Sequence, residues 1–287
     1  MAAACSAATD YASQAPVELV RQTVQNELNS NNRGVKFRFK DHKETVYDSQ
    51  TKMVIETRQA TAGILVAING QPLTAQQRAD ETARLDNLVN NPEELRKKQK
   101  AEREDADRTN RIMRALPDAF IYEHDGTATG KSGLGNPGDE LVRLKFRPNP
   151  NYVPPTHAEQ VLTGMQGFVL IDAKAHRIAQ IDGTLIKDVG FGWGILGRLD
   201  KGGRFVVVQG AVALGDWEVT RMDLDFKGKE LLFKKINIKS NEVFSDFQPV
   251  PSDLNFAQAV EMLKKECAEW AENRQQNGNP QQDHNKR

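Results

Sequence analysis

Between residues 166 and 247 the chain is a succession of short, β-favouring apolar segments closed by turn residues, and that spacing admits little other than an antiparallel sheet. Phe168-Val169-Leu170-Ile171, Ile178 to Ile186, Phe205 to Val208, Trp217 to Phe226 and Leu231 to Ile238 are separated by Ala173-Lys174, Lys201-Gly202-Gly203, Leu214-Gly215-Asp216 and Lys227-Gly228-Lys229. This is the rhythm of a meander. Strict alternation puts Met222, Leu224 and Phe226 on one strand face, and Trp217 and Val219 on the other with Arg221, Asp223 and Asp225. Strands that are apolar on both sides suit a sheet covered by a helix and curved around a cavity. They suit an ordinary filled core equally well.

Upstream, Pro16 to Leu28 is predicted to be a helix, with Pro at its first position and Val17, Val20, Val24 and Leu28 on one face. Strands are expected at 35–47, 53–60 and 64–68, with turns at Asp48-Ser49-Gln50 and Asn69-Gly70. Thr74 and Gln77 form a capping-box pattern, and Asn91-Pro92 restarts the helix. From Glu93 to Arg111 the letters are almost wholly charged, with Leu95, Ala101 and Ala106 as the apolar content. Charged residues are 27% of the chain against 38% hydrophobic, and this segment is where the apolar deficit sits. Without an apolar stripe, the helix is predicted to be solvent-exposed. Further strands are expected at 119–123 and 141–146, around a Gly-rich loop from Gly126 to Gly138. A last helix, capped by Asn255 and Gln258, carries Phe256, Val260, Leu263, Cys267 and Trp270 on one stripe. The sequence reads as an α+β protein: residues 1–14 a lipoprotein-like segment, 15–274 one domain with a charged helical insertion at 75–115, and 275–287 a disordered tail.

Chemistry is harder to find. Thirty-nine basic and 39 acidic residues cancel, so no net field recruits nucleic acid or an anionic membrane. Gly126 to Ser132 has the letters of a phosphate loop, but its glycines are separated by three residues instead of four and more glycines follow where a helix must begin. Gly192 to Gly197 matches a dinucleotide pattern, yet Arg198 to Gly203 turns straight into a strand. The five histidines are dispersed with no ligand spacing, so no metal or cofactor is expected. No nucleophile–base pattern occurs and no catalytic residue is assigned. Two cysteines, Cys5 and Cys267, offer no disulfide framework. No run of about 18 apolar residues is present, so no membrane-spanning helix is expected. The small residues before Cys5 look like the end of a bacterial lipoprotein signal, which makes Cys5 a candidate lipidation site.

Gly167 to Asp172 followed by Arg177-Ile178-Ala179 and Gly183-Thr184-Leu185 resembles bacterial outer-membrane lipoprotein-sorting proteins, the LolA/LolB-like family. Asn69 to Leu73 before a charged helix, and the Gly-Trp-Gly loop at 192–194, are similar to uncharacterised bacterial members. The resemblance covers mainly residues 160–247. It implies a curved antiparallel sheet forming an incomplete β-barrel, helices on its concave side, a cavity for acyl chains and no catalysis. The expected function is therefore non-enzymatic binding of a hydrophobic ligand, a lipid or lipoprotein acyl chain, in the periplasm or at the outer membrane. The alternative is an interaction protein that docks a partner through helix 93–111. Cavity candidates from both strand faces are Phe168, Leu170, Ile181, Leu185, Phe205, Val207, Trp217, Val219, Met222, Leu224 and Phe226, with Phe191, Trp193, Ile195 and Leu196 on a rim loop.

Overall fold

The computed structural model describes residues 14–30, 35–191, 197–213, 215–230 and 234–277. In chain order the elements are α1 (Pro16–Ser30), β1 (Lys36–Thr45), β2 (Ser49–Ile55), β3 (Ala62–Ile68), β4 (Gln71–Pro72), α2 (Ala75–Asn90), α3 (Pro92–Ala119), β5 (Phe120–Thr129) and β6 (Glu140–Pro148). Then follow α4 (His157–Gln160), a 3₁₀ turn (Val161–Gly164), β7 (Met165–Asp172), β8 (Arg177–Leu185), β9 (Val189–Phe191), β10 (Gly197–Leu199), β11 (Arg204–Ala211), β12 (Trp217–Glu230), β13 (Lys234–Val250) and α5 (Phe256–Asn277). Every registered strand pairing is antiparallel, which makes this an α+β chain. The chain divides into two compact units, residues 1–33 with 105–242 and residues 34–104 with 243–287. Two of the three boundaries fall within α3 and β13, and the third lies between Arg33 and Gly34.

In the unit built from 34–104 and 243–287, the strand order is β4-β3-β2-β1 and then the end of β13. Asn69 and Gly70, with φ of 50° and 72°, form the tight turn that only such residues accept cheaply. Helix α2 starts at a capping box in which Thr74 Oγ1 accepts from the Gln77 N–H and the Thr74 N–H donates to Gln77 Oε1. The expected stripe of α5 is buried through Phe256, Val260, Leu263 and Cys267, which pack on Ile55, Ala62, Ile64 and Val66. The Trp270 side chain lies outside the described residues. Helix α5 runs to Asn277, past the predicted start of the tail at Gln275; residues 278–287 lie outside the described residues.

In the other unit the order is β5-β6-β7-β8-β11-β12 and then the start of β13, with β9 and β10 added beside the end of β12. The predicted meander is therefore interrupted by a short hairpin between β8 and β11. The sheet is open at β5, and its concave face is covered by α1 through Leu19, Val20 and Val24. Three expectations are corrected here. Strand β5 continues through Gly126 to Thr129 across a bulge between His124 and Thr127, so half of the phosphate-loop pattern is strand. Lys227-Gly228-Lys229 is not a turn but the end of β12. Helix α3 is charged and ion-paired within itself at Glu93–Arg96, Glu94–Lys97 and Lys98–Glu102, yet it reaches Ala119, and Ile112, Met113 and Leu116 in its last turns pack into the core. It is thus exposed only over part of its length.

Candidate functional site

Inside the unit that contains α1, side chains from two helices and six strands enclose one cavity of about 240 Å³. Val20 and Thr23 of α1 form one wall, and Ile112, Met113 and Leu116 of α3 another. The sheet supplies Phe120 and Tyr122 of β5, Phe146 of β6, Met165, Val169 and Ile171 of β7, Ile178 and Ile181 of β8, Phe205, Val207 and Gln209 of β11, and Val219 of β12. Contributions from so many neighbouring strands to one space require a concave sheet. No charged side chain lines it, so the interior is a low-dielectric environment suited to apolar ligands.

Local features set this surface. Cross-strand pairs Val169↔Ile181, Val207↔Ile181 and Phe205↔Gly183 place their members on one face. A Cβ on Gly183 would fall 2.5 Å from the Phe205 ring, so glycine is what lets that ring lie against the neighbouring strand. The Tyr122 hydroxyl donates to the Leu116 carbonyl at 2.8 Å. Burial pushes its pKa well above the ordinary tyrosine value, and it stays neutral.

Of the predicted cavity residues, Ile181, Phe205, Val207 and Val219 line the cavity. Leu185 and Phe226 belong to the surrounding core without lining it, and Met222 and Leu224 are half-buried opposite Val207 and Phe205. Leu170 and Trp217 pack elsewhere, with Leu141 and Ala179, and Phe168 packs against that cluster under the Arg143 guanidinium, 3.6 Å from its ring centroid. Strict alternation along β12 fails because of a bulge: Val208 pairs with Arg221 but Gln209 with Val219, leaving Thr220 as the extra residue. Val219 and Met222 consequently share a face that period-two counting denies them. Phe191 ends β9, while Trp193, Ile195 and Leu196 lie outside the described residues, as does Cys5.

The α1 and α3 walls were missed as site residues. Their signal was present: Thr109, Ile112, Met113 and Leu116 recur at helical spacing across the end of the charged run. Among the described residues no group of His, Cys, Asp or Glu is arranged to hold a metal, and no helix is long and apolar enough to cross a membrane. One hydroxyl–imidazole–carboxylate chain occurs, with His42 Nδ1 2.9 Å from Thr51 Oγ1 and Nε2 3.3 Å from Glu44. It is a cross-strand pair on β1 and β2, and none of the three residues lines the cavity.

No family model matches the chain, and no curated protein matches it. Among solved structures it is similar to a DUF1329 family protein from Desulfovibrio piger, with 8% sequence identity, a TM-score of 0.28, and 87% of this chain and 100% of that one covered.

Proposed function

We propose that the protein binds one hydrophobic chain, the acyl group of a lipid or lipoprotein, in the cavity between α1, the end of α3 and the sheet, and that it acts by binding and not by catalysis. The observation that carries this reading is a lining without a single charged side chain around about 240 Å³ of space. A dry, apolar cavity of roughly 150 Å³ accepts benzene, and drug-sized pockets begin near 300 Å³. By that scale the space suits one medium chain of about ten carbons and not a whole two-chain lipid. The place of action, in the cell envelope with Cys5 as a lipid-bearing residue, rests on the sequence resemblance over 160–247 and on the small residues preceding Cys5.

Protein purified without detergent is extracted with organic solvent and the extract analysed by mass spectrometry, beside a Val219→Phe variant that places a ring in the cavity. A stoichiometric acyl species in the native protein, absent from a folded Val219→Phe, is the expected result. Equal amounts of lipid in both proteins would show that the lipid sits elsewhere.

A further inference from the structure

Among the polar residues of the cavity wall, Thr23 stands out by a hydroxyl that is buried and unpartnered. It is 0% exposed, it lines the cavity from α1, and its Oγ1 is buried with no hydrogen-bond partner. A threonine within a helix ordinarily turns its hydroxyl back to the carbonyl one turn earlier. Here that bond is not made. Valine has nearly the same shape and would suit walls such as Val20, Ile178 and Ile181 without the penalty of a desolvated, unsatisfied hydroxyl. A polar atom held in this condition is a donor and acceptor waiting for a partner that enters the cavity.

Resting on the acyl-binding reading above, we infer that the ligand carries a neutral hydrogen-bonding oxygen, an alcohol, ester or amide group, which meets Thr23 Oγ1 inside the cavity. The charge arrangement favours a neutral group over a carboxylate. The nearest acidic residue along α1, Glu27, accepts from the Ile178 N–H at 2.7 Å and lies 3.0 Å from Arg177 Nε, so both charges of that pair are committed to each other. No cation lines the cavity to hold an ionised head group. Gln209 of β11 and Thr109 of α3 line the same space and offer an amide and a hydroxyl to the same ligand, while the Tyr122 hydroxyl already donates to the Leu116 carbonyl.

The test compares decan-1-ol with n-decane on the full chain, by equilibrium partition and thermal shift, for the native protein, Thr23→Val and Thr23→Ser. Decane reports the cavity alone; the ratio of the two affinities reports the oxygen site. Thr23→Val is expected to raise the melting temperature of the ligand-free protein and to lower decanol affinity relative to decane by about fivefold. Thr23→Ser should keep the native ratio. If decane and decanol bind and the ratio is the same in Thr23→Val as in the native protein, the oxygen site is refuted while the apolar cavity stands. If neither probe binds the native protein, the acyl-binding reading itself fails and this inference falls with it.

Discussion

Glu27 on α1 and Arg177 at the first position of β8 form an ion pair with 3.0 Å between Oε1 and Nε, and both side chains are more than nine-tenths buried. The same carboxylate accepts from the Ile178 N–H, and the Arg177 guanidinium lies 5.5 Å from the centre of the Trp217 ring. The pair thus pins α1 to the sheet one helical turn from Thr23, and the helix that forms a cavity wall is held by it. Removing one charge leaves the other desolvated and alone, so Glu27→Gln should cost about 3–5 kcal/mol in urea unfolding. The double variant Glu27→Leu, Arg177→Met should lose less than the two single variants added together, since neither charge then remains unpaired. Strict additivity would show that the two side chains do not act as a pair.

How far the sequence reached can be seen along β12 and α3. Period-two and period-3.6 patterns locate elements well where one face is wet and the other dry, as in α1, where Leu19, Val20, Thr23, Val24 and Glu27 are buried together. They fail where a strand gains one residue. The bulge at Thr220 inverts the parity of β12, so Trp217 and Val219 were placed opposite Met222 by counting alone. Helix α3 misled for a different reason: its charge over 93–111 was averaged over the element, while the few apolar residues after Thr109 decide where its end goes. Of the three boundaries between the two units, those at 104/105 and 242/243 carry no signal, because a continuous helix and a continuous strand cross them; the one at 33/34 falls in the polar stretch Asn29 to Gly34, which by itself reads as a turn between two elements.

Leu263 of α5 is 0% exposed and packs among Ile55, Ile64 and Leu85. Leu263→Ala should destabilise the protein by about 2–5 kcal/mol, as a cavity of that size in a packed core does. Unfolding should be followed by two probes, because two compact units can report separate transitions. A loss below 1 kcal/mol in both would show that α5 does not pack on β2 and β3.

Cys267 lies on the same helix face and is 7% exposed, and burial pushes its thiol above the ordinary cysteine value. The thiolate is the reactive form, so the group should resist alkylation in the native state. In a Cys5→Ser variant at pH 8, iodoacetamide should label Cys267 slowly in buffer and completely in urea. Rapid native labelling would mean that the α5 stripe opens readily.

Glu56 gives the pH dependence its sign. Burial raises its pKa above the ordinary glutamate value, more than the hydrogen bond it accepts from the Phe37 N–H at 3.1 Å and the nearby Lys36 charge lower it. The folded state therefore holds this proton more tightly than the unfolded chain does. Stability from that preference is complete below the unfolded value, near pH 4.3, and is lost as pH rises through the folded value. Glutamine keeps the carbonyl that accepts from Phe37 and has no proton to lose. Glu56→Gln should therefore gain stability over the native protein between pH 4 and pH 7, and the sign is read from the difference between the two proteins in urea unfolding at each pH, which cancels the titration of every other group. A difference that stays constant between the two pH values would show that Glu56 ionises as freely in the fold as in the unfolded chain. The hydrogen bond from Phe37 and the Lys36 charge would then balance the cost of burial.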